Sequence, residues 1–397
     1  MKCVAAFALV LVMGIVDAMA ADDGALRAAL SADLQHYLAS RRTIEHISAL
    51  SLSVKLPGQA RNIDATAGTT RFDGGAAVTP GNLYQIGSNT KAFTAVTILQ
   101  LEAEGRLTIH DTVGKWLPQY PAWKGVTIER LLNMTSGIPT YDDVQAMQAA
   151  YAANPTKDWS LAELIAFVDP ATKGAPKPTT GWSYSNTNYL LAQLIIEKAS
   201  GHSYADEVRR RLFADPALRL DATYYQPHLY PPEVVERMVS GYFASKDPGN
   251  AGMQSLYGKD VRDLSMSWGQ GAGGIVSTPS DITRWSRALY VGSLLKAPQR
   301  HELMRTVSQK TGAPIDDVSA DDPHGFGLGV VHAFAPSMGK FWFYQGETLG
   351  YRMVYAWFPI SGVVFAAGIN SQPDSKEDHA GKLMEAIYNS LHKAGKL

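Results

Sequence analysis

A serine and a lysine stand three residues apart in the segment Ser88-Asn89-Thr90-Lys91, at the start of a predicted helix. Because residues three apart share a helix face, the Lys91 amine can reach the Ser88 hydroxyl. An amine in apolar surroundings has a lowered pKa and can take the proton that a serine nucleophile must lose at neutral pH. The Ser88 amide would lie at the positive end of the helix, where unpaired N–H groups can stabilise an oxyanion. The spacing therefore indicates a serine nucleophile with a lysine base.

A second copy of this spacing, Ser337 and Lys340, shows that the pattern alone is a weak signal. This copy follows Pro336, contains Gly339 and leads into an aromatic stretch, which predicts a turn before a strand. No helix would then place this lysine over its serine.

The residues that follow Ser88 distinguish the first copy from the second. They are almost all apolar until Glu102 and Glu104, and Gly105 is suited to end a helix. A helix that is apolar on all sides is typically a central, buried one. The alternative is that Ser88 only caps a core helix and that Lys91 extends to solvent.

A Tyr-x-Asn pattern, Tyr184 and Asn186, occurs once in the chain and lies next to another predicted helix. A tyrosine there could relay a proton between the serine, the lysine and a leaving group, while the Asn186 amide holds substrate or Lys91. The alternative is an ordinary turn at the start of a helix.

The elements that would position these residues fall into strands near both ends of the chain and helices between them. Residues 46–55 and 62–72 predict a strand hairpin, and residues 326–334, 340–346, 351–358 and 363–370 predict further strands. This order predicts an α+β fold interrupted by a helical insertion. We expect a sheet domain formed by residues 21–110 and 221–397, and a helical domain formed by residues 111–220.

The composition limits the classes of function. The chain has 397 residues, 46% of them hydrophobic, and a formal net charge of −1. It can therefore bury a large core, and its charge gives no basis for binding nucleic acid or an anionic membrane. Its histidines are scattered and the glycines of residues 269–274 lack the spacing of a nucleotide loop, so we expect neither a metal nor an organic cofactor. The absence of Gly-x-Ser-x-Gly argues against an α/β-hydrolase.

Residues 1–20 have the pattern of a secretory signal peptide: Lys2, an apolar stretch, and a small-residue cleavage site ending at Ala20. Cleavage there would remove Cys3, the only cysteine of the chain. We expect an exported protein, periplasmic or secreted, with no membrane span. A buried N-terminal strand is the alternative.

Together these segments resemble the serine β-lactamase and penicillin-binding-protein family, which includes class C β-lactamases, D-Ala-D-Ala carboxypeptidases, D-aminopeptidases and β-lactamase-like esterases. The resemblance extends over nearly the whole chain after residue 20. It is carried by IGSNTKAFTA, EGRLTIHDTVGKWLP, TIERLLNMTSGIP, YSNTNYLLAQLIIEKASG, SWGQGAGGIVSTPSD, GFGLGV and YQGETLGYR. The resemblance implies an antiparallel sheet flanked by helices, with an inserted all-helical lobe.

The resemblance also implies roles for individual residues. Ser88 corresponds to the acylated nucleophile, Lys91 to its base partner, and Tyr184 to the proton-relaying tyrosine. The oxyanion hole falls on the backbone N–H groups of Ser88 and Glu347. The positions that contact substrate correspond to Asn186, Tyr344, Gln345, Gly346 and Glu347.

The chain departs from the family at Tyr344, where family peptidases and lactamases have lysine or histidine. A phenol donates a hydrogen bond but carries no positive charge at neutral pH. Gln345 and Glu347 are expected to point toward the substrate, where the carboxypeptidase has hydroxyls that bind a carboxylate. The catalytic core is thus expected to be kept and recognition of a substrate carboxylate to be lost, unless another cation such as Arg352 supplies it.

We therefore expect a serine hydrolase that acts on amide or ester bonds of a small molecule or short peptide through a Ser88 acyl-enzyme. A peptidase like the D-Ala-D-Ala carboxypeptidases or D-aminopeptidases is the first expectation. A β-lactamase-like carboxylesterase, or a non-catalytic binding protein on the same scaffold, is the alternative.

Overall fold

The computed structural model describes residues 23–226 and 228–397, so the predicted signal peptide lies outside the described residues. The helices are α1 (residues 23–41), α2 (Thr90–Ala103), α3 (Val113–Trp116), α4 (Ile128–Leu132), α5 (Gln145–Ala153), α6 (Leu161–Ala166), α7 (Asn186–Ser200), α8 (Tyr204–Val208), α9 (Pro232–Val235), α10 (Gln270–Gly273), α11 (Pro279–Tyr290), α12 (Ala297–Met304) and α13 (Ala380–Lys393). The strands are β1 (Ala49–Lys55), β2 (Ile63–Gly68), β3 (Tyr84–Gln85), β4 (Tyr224–Tyr225), β5 (Tyr242–Ala244), β6 (Ile275–Ser277), β7 (Thr306–Ser308), β8 (Pro314–Ile315), β9 (His324–Phe326), β10 (Val331–Ala335), β11 (Gly339–Thr348), β12 (Tyr351–Trp357), β13 (Val364–Ile369) and β14 (Ser371–Pro373).

The main sheet has nine strands in the order β2-β1-β13-β12-β11-β10-β9-β7-β8. Every neighbouring pair in it is antiparallel, including the predicted hairpin of β1 and β2. In β11, Tyr344 lies opposite Tyr355 and Glu347 lies opposite Arg352 of β12. The predicted α+β fold with an antiparallel sheet flanked by helices is confirmed.

Strand alternation gives the sheet two buried faces. Leu50, Leu52 and Val54 of β1 pack on one face in the same apolar cluster as residues of α1 and α13. Helix α11 packs on the opposite face against β1 and β13, and this face is continuous with the core that holds α2 and α7. The helix of the nucleophile is therefore surrounded by protein on all sides, as its apolar sequence predicts.

Residues 111–220 carry helices α3 to α8. Their buried side chains belong to the same apolar cluster as those on one face of the sheet. The boundaries at 110/111 and 220/221 remain a prediction. Within residues 23–226 and 228–397, no helix is both long enough and apolar enough to cross a membrane.

One predicted strand is wrong. Residues 326–334 form two strands, because β9 ends at Phe326 and β10 begins at Val331. Between them Gly327 N donates to Val330 O at 2.8 Å, and Gly329 has a φ of +76°. A Cβ at Gly329 would lie 3.0 Å from the Lys91 backbone, so this turn packs directly on the nucleophile helix.

Candidate active site

Ser88 lies in a short 3₁₀ turn, Gly87–Asn89, that leads into α2. Strand β11 crosses directly over this turn. A Cβ at Gly87 would lie 2.5 Å from Glu347 N, and a Cβ at Gly346 would lie 2.0 Å from the Ile86 carbonyl oxygen. Both positions therefore require glycine, and their close approach puts the Glu347 peptide beside the nucleophile.

Lys91 is 0% exposed, which rules out the alternative in which it extends to solvent. Its Nζ donates to Ser88 Oγ at 2.9 Å, to Asn186 Oδ1 at 2.6 Å and to the Ala272 carbonyl at 2.9 Å. Burial lowers the pKa of Lys91 from 10.5 to about 7, against an opposing effect from the Asp142 carboxylate. A substantial fraction of Lys91 is therefore a neutral amine at pH 7, able to accept the Ser88 proton.

Tyr184 lies just before α7, and its hydroxyl donates to Ser88 Oγ at 2.6 Å. The Lys91 Nζ lies 4.8 Å from the centre of the Tyr184 ring. Burial raises the pKa of Tyr184 above its usual value of 10, so the phenol stays protonated at neutral pH. The Tyr-x-Asn segment thus starts a helix and also brings two polar side chains to Ser88 and Lys91.

Tyr344 is buried beside Tyr184, with 3.5 Å between the two hydroxyl oxygens. Burial raises the pKa of Tyr344 well above 10, so it brings no charge to the site. Gly346 packs on the nucleophile turn, whereas Tyr344, Gln345 and Glu347 line the cleft in front of Ser88.

Gln345 joins two carboxylates at the edge of the cleft. Its Nε2 donates to Glu347 Oε1 at 2.6 Å and to Asp378 Oδ2 at 2.5 Å. The pKa of Glu347 is raised, first by desolvation and then by the charge of Asp378. This edge of the site therefore presents carboxylates where the family resemblance implied a carboxylate-binding surface.

Arg352, the other candidate cation, is not available to a substrate. Its side chain is 0% exposed, and it pairs with Glu45 Oε2 at 2.6 Å and with Asp378. It also donates to the Ser371 carbonyl at 2.9 Å. The suggestion that Arg352 reads a carboxylate is wrong, because the guanidinium is neutralised and enclosed beneath the strand.

Sequence reasoning missed Asp142, which lies on the 3₁₀ turn Tyr141–Asp143. Asn186 Nδ2 donates to Asp142 Oδ2 at 2.6 Å, and the Thr140 hydroxyl donates to Oδ1. The only signal was the pair of acidic residues after TSGIPTY, and nothing in their spacing pointed to Asn186.

The cleft in front of Ser88 encloses about 360 Å³. The apolar part of its lining, called the apolar wall below, consists of Met147, Tyr151, Met253, Trp268 and Leu349. The polar part of its lining includes the carboxyl groups of Asp142, Asp143 and Glu347. Among the described residues, no group of three or more His, Cys, Asp and Glu side chains could hold a metal ion.

The sequence profile of the beta-lactamase family matches residues 33–388. Penicillin-binding protein 4* of Bacillus subtilis (strain 168) is 31% identical over 272 residues, which are 68% of this chain and 56% of that protein. The chain spans about half the length of the curated relatives that it matches.

Two solved structures share the architecture. A D-stereospecific amidohydrolase from Streptomyces sp. is 27% identical with a TM-score of 0.73, over 91% of this chain and 98% of that one. A D-amino acid amidase from Ochrobactrum anthropi SV3, complexed with L-phenylalanine amide, is 22% identical with a TM-score of 0.75, over 93% of this chain and 99% of that one. This second likeness concerns the fold alone.

Proposed function

This chain belongs to the beta-lactamase family, a family of serine hydrolases, and we propose that it cleaves amide or ester bonds through an acyl-enzyme on Ser88. One observation carries the proposal. Inside the cleft, Ser88 Oγ lies within hydrogen-bond distance of both Lys91 Nζ, at 2.9 Å, and Tyr184 OH, at 2.6 Å. This arrangement supplies a base and a proton donor to one nucleophile.

In the proposed mechanism, neutral Lys91 takes the Ser88 proton as Oγ bonds to the substrate carbonyl carbon. The backbone N–H groups of Ser88 and Glu347 stabilise the resulting oxyanion. Tyr184 passes a proton to the leaving amine or alcohol, and the proton held by Lys91 replaces it. Water then attacks the acyl-enzyme, with the same groups acting in reverse, and releases the acid and free Ser88.

The charges around the cleft support a substrate without a carboxylate beside the scissile bond. Tyr344 is neutral and Arg352 is enclosed, while Glu347 and Asp143 line the cleft with carboxyl groups. A free amine on the substrate would suit these carboxyl groups, and an apolar side chain would suit the wall formed by Tyr151 and its neighbours. We propose a peptidase or amidase of the D-aminopeptidase type, and the likeness to a D-stereospecific amidohydrolase supports an amide substrate.

A matched pair of substrates tests this proposal: an N-acetyl-D-Ala-D-Ala peptide and its C-terminal amide, which differ only in the carboxylate. A charge-assisted hydrogen bond to the substrate carboxylate would be worth roughly 1.5–3 kcal/mol, and no cation of this site is free to make it. The value of kcat/KM for the free acid should therefore be roughly 10–150-fold lower than that for the amide. The double variant Tyr344→His, Glu347→Thr should narrow that difference. A wild-type preference for the free acid would refute the assignment of substrate charge and leave the Ser88 mechanism in place.

A second candidate is a β-lactamase-like carboxylesterase, which the apolar wall of the cleft favours. Comparing p-nitrophenyl esters with D-amino-acid amides and nitrocefin separates the two candidates. Turnover of esters alone would favour the esterase. Ser88→Ala should abolish turnover of every substrate, and full turnover by this variant would refute both.

Export is part of the proposal and rests on residues 1–20, outside the described part of the chain. N-terminal sequencing of periplasmic or secreted protein should give a first residue near Ala21. Recovery of cytoplasmic protein that begins at Met1 would contradict it.

A further inference from the structure

We propose that Asp142 is a positioning residue of this active site, whose carboxylate holds the Asn186 side-chain amide in the orientation that presents its oxygen to Lys91. The inference rests on the proposed function, because it concerns how the base of that reaction is held. It assigns a role to a residue that neither the spacing of the motifs nor the family resemblance singled out.

The orientation follows from which atoms can donate. A carboxylate only accepts hydrogen bonds, so Asp142 Oδ2 can pair with the Asn186 NH₂ group, 2.6 Å away, and not with its carbonyl oxygen. Asn186 Oδ1 then faces the Lys91 amine at 2.6 Å. Turning the amide over would place its oxygen against the Asp142 carboxylate and would break the hydrogen bond between them.

Asp142 is itself held in place. The Thr140 hydroxyl donates to its other oxygen, and that same hydroxyl accepts the Asn186 backbone N–H at 2.9 Å. Gln148 Nε2 donates to the Asp142 carbonyl at 2.8 Å. The chain of contacts from Asp142 through Asn186 and Lys91 to Ser88 therefore has a fixed geometry at each step.

The charge of Asp142 also acts on the base. It raises the pKa of Lys91 and so opposes the larger lowering by burial. The other groups that face Lys91 are the Tyr184 and Tyr189 rings, 4.8 and 5.5 Å from its Nζ, and the Ala272 carbonyl, all uncharged. The remaining carboxyl groups on the cleft belong to Asp143, beside Asp142, and to Glu347 on β11.

The test uses the rate at which a fluorophosphonate labels Ser88, measured from pH 5 to 9. In wild-type protein this rate should rise to a plateau above about pH 7, as Lys91 loses its proton. Asp142→Asn keeps an oxygen for Asn186 but removes the charge, so the rise should move to lower pH. Asp142→Ala also releases the amide and should lower the plateau rate on the order of 10²-fold.

Asp73→Asn is the control, since it removes an exposed carboxyl group that pairs with Arg71 and does not line the cleft, and it should leave the pH of the rise unchanged. The positioning role would be overturned if the labelling rate of Asp142→Asn rose at the same pH as that of wild type and both Asp142 variants had plateau rates within about twofold of wild type. The Ser88 mechanism would then still stand. If wild-type Ser88 is not labelled, the proposed function fails and this inference fails with it. If Asp142→Ala does not fold, Asp142→Asn alone tests the inference, because a purely structural role would not change the pH at which the labelling rate rises.

Discussion

Replacing Lys91 by methionine should separate activity from stability. The variant keeps a side chain of similar length but removes the amine that donates to Ser88, Asn186 and the Ala272 carbonyl. General base catalysis contributes roughly 10²–10⁴-fold to rate, so kcat should fall by that factor while KM changes little.

The stability of the same variant follows from the pKa of the buried amine. A fall from 10.5 to about 7 means that folding works against protonation, and each pKa unit is about 1.4 kcal/mol. At and below pH 7 wild-type protein thus bears a penalty of about 5 kcal/mol, which methionine removes. Against this gain, the Asn186 and Ala272 oxygens lose their donor, at about 1–3 kcal/mol each. The variant should therefore be nearly as stable as wild type, or more stable.

The same pKa predicts how the folding stability of wild-type protein changes with pH. Between about pH 7 and 10.5 the unfolded chain binds a proton at Lys91 that the folded chain does not, so wild-type stability should rise with pH across that window. Lys91→Met should lack this rise. Urea unfolding at pH 6 and pH 9, alongside steady-state kinetics, measures both effects.

Lys340→Met is the control, because Lys340 has the same spacing from a serine but pairs with Asp317 at the surface. Its activity should equal that of wild type, with a loss of stability of at most about 1 kcal/mol. If Lys91→Met instead raised KM and left kcat unchanged, Lys91 would be a binding or packing residue. The base assignment would then be wrong.

Three further predictions concern other parts of the site and core. Tyr184→Phe should lower kcat by roughly 10²-fold or less without changing stability greatly, as measured by steady-state kinetics and thermal unfolding; an unchanged kcat would argue that the tyrosine only forms a turn. Gly346→Ala should reduce both activity and the unfolding midpoint, because its Cβ would lie 2.0 Å from the backbone oxygen of Ile86. In the control Gly381→Ala the added Cβ meets nothing within 4 Å, so activity and the unfolding midpoint should stay unchanged. Glu302 has a pKa raised from 4.5 to about 7, first by burial and then by the neighbouring Glu102 carboxyl group, so wild-type stability should fall as the pH rises from about 4.5 to about 7. Glu302→Gln should abolish that fall in a series of thermal melts, and an identical pH dependence in the two proteins would count against the carboxyl pair.

The parts of the fold that follow from periodicity could be predicted from the sequence. The β1–β2 hairpin and helices α2 and α7 lie where their patterns put them, because each element buries an apolar face that is evident in the sequence. The break at residues 327–330 was missed. The residues before and after this break favour strands, so the pattern predicts one continuous strand. The turn depends on the positive φ of Gly329 and on the packing of Gly329 against α2, which the pattern does not show.

Within the active site, contacts between residues close in sequence could be predicted, and contacts between distant residues could not. Ser88 and Lys91 meet because they lie three residues apart where the 3₁₀ turn leads into α2, which spacing alone can indicate. Asp142 is 44 residues from Asn186, and the Ala272 carbonyl is 181 residues from Lys91, so only the assembled core brings these groups together. Arg352 was misjudged for the same reason, since its partner Glu45 is 307 residues away.

The neutral side chain at position 344 bears on the lysine base as well as on the substrate. Burial already drives Lys91 toward its neutral form, and Asp142 is the charge that opposes this effect. A cation at position 344, next to Tyr184, would lower the pKa of Lys91 further, because a nearby like charge disfavours protonation. Tyr344 brings no such charge, so a base with a pKa of about 7 needs no second cation beside it. The proposed function therefore combines a base suited to neutral pH with a cleft for uncharged or amine-bearing substrates, and it requires no cation that recognises an anion.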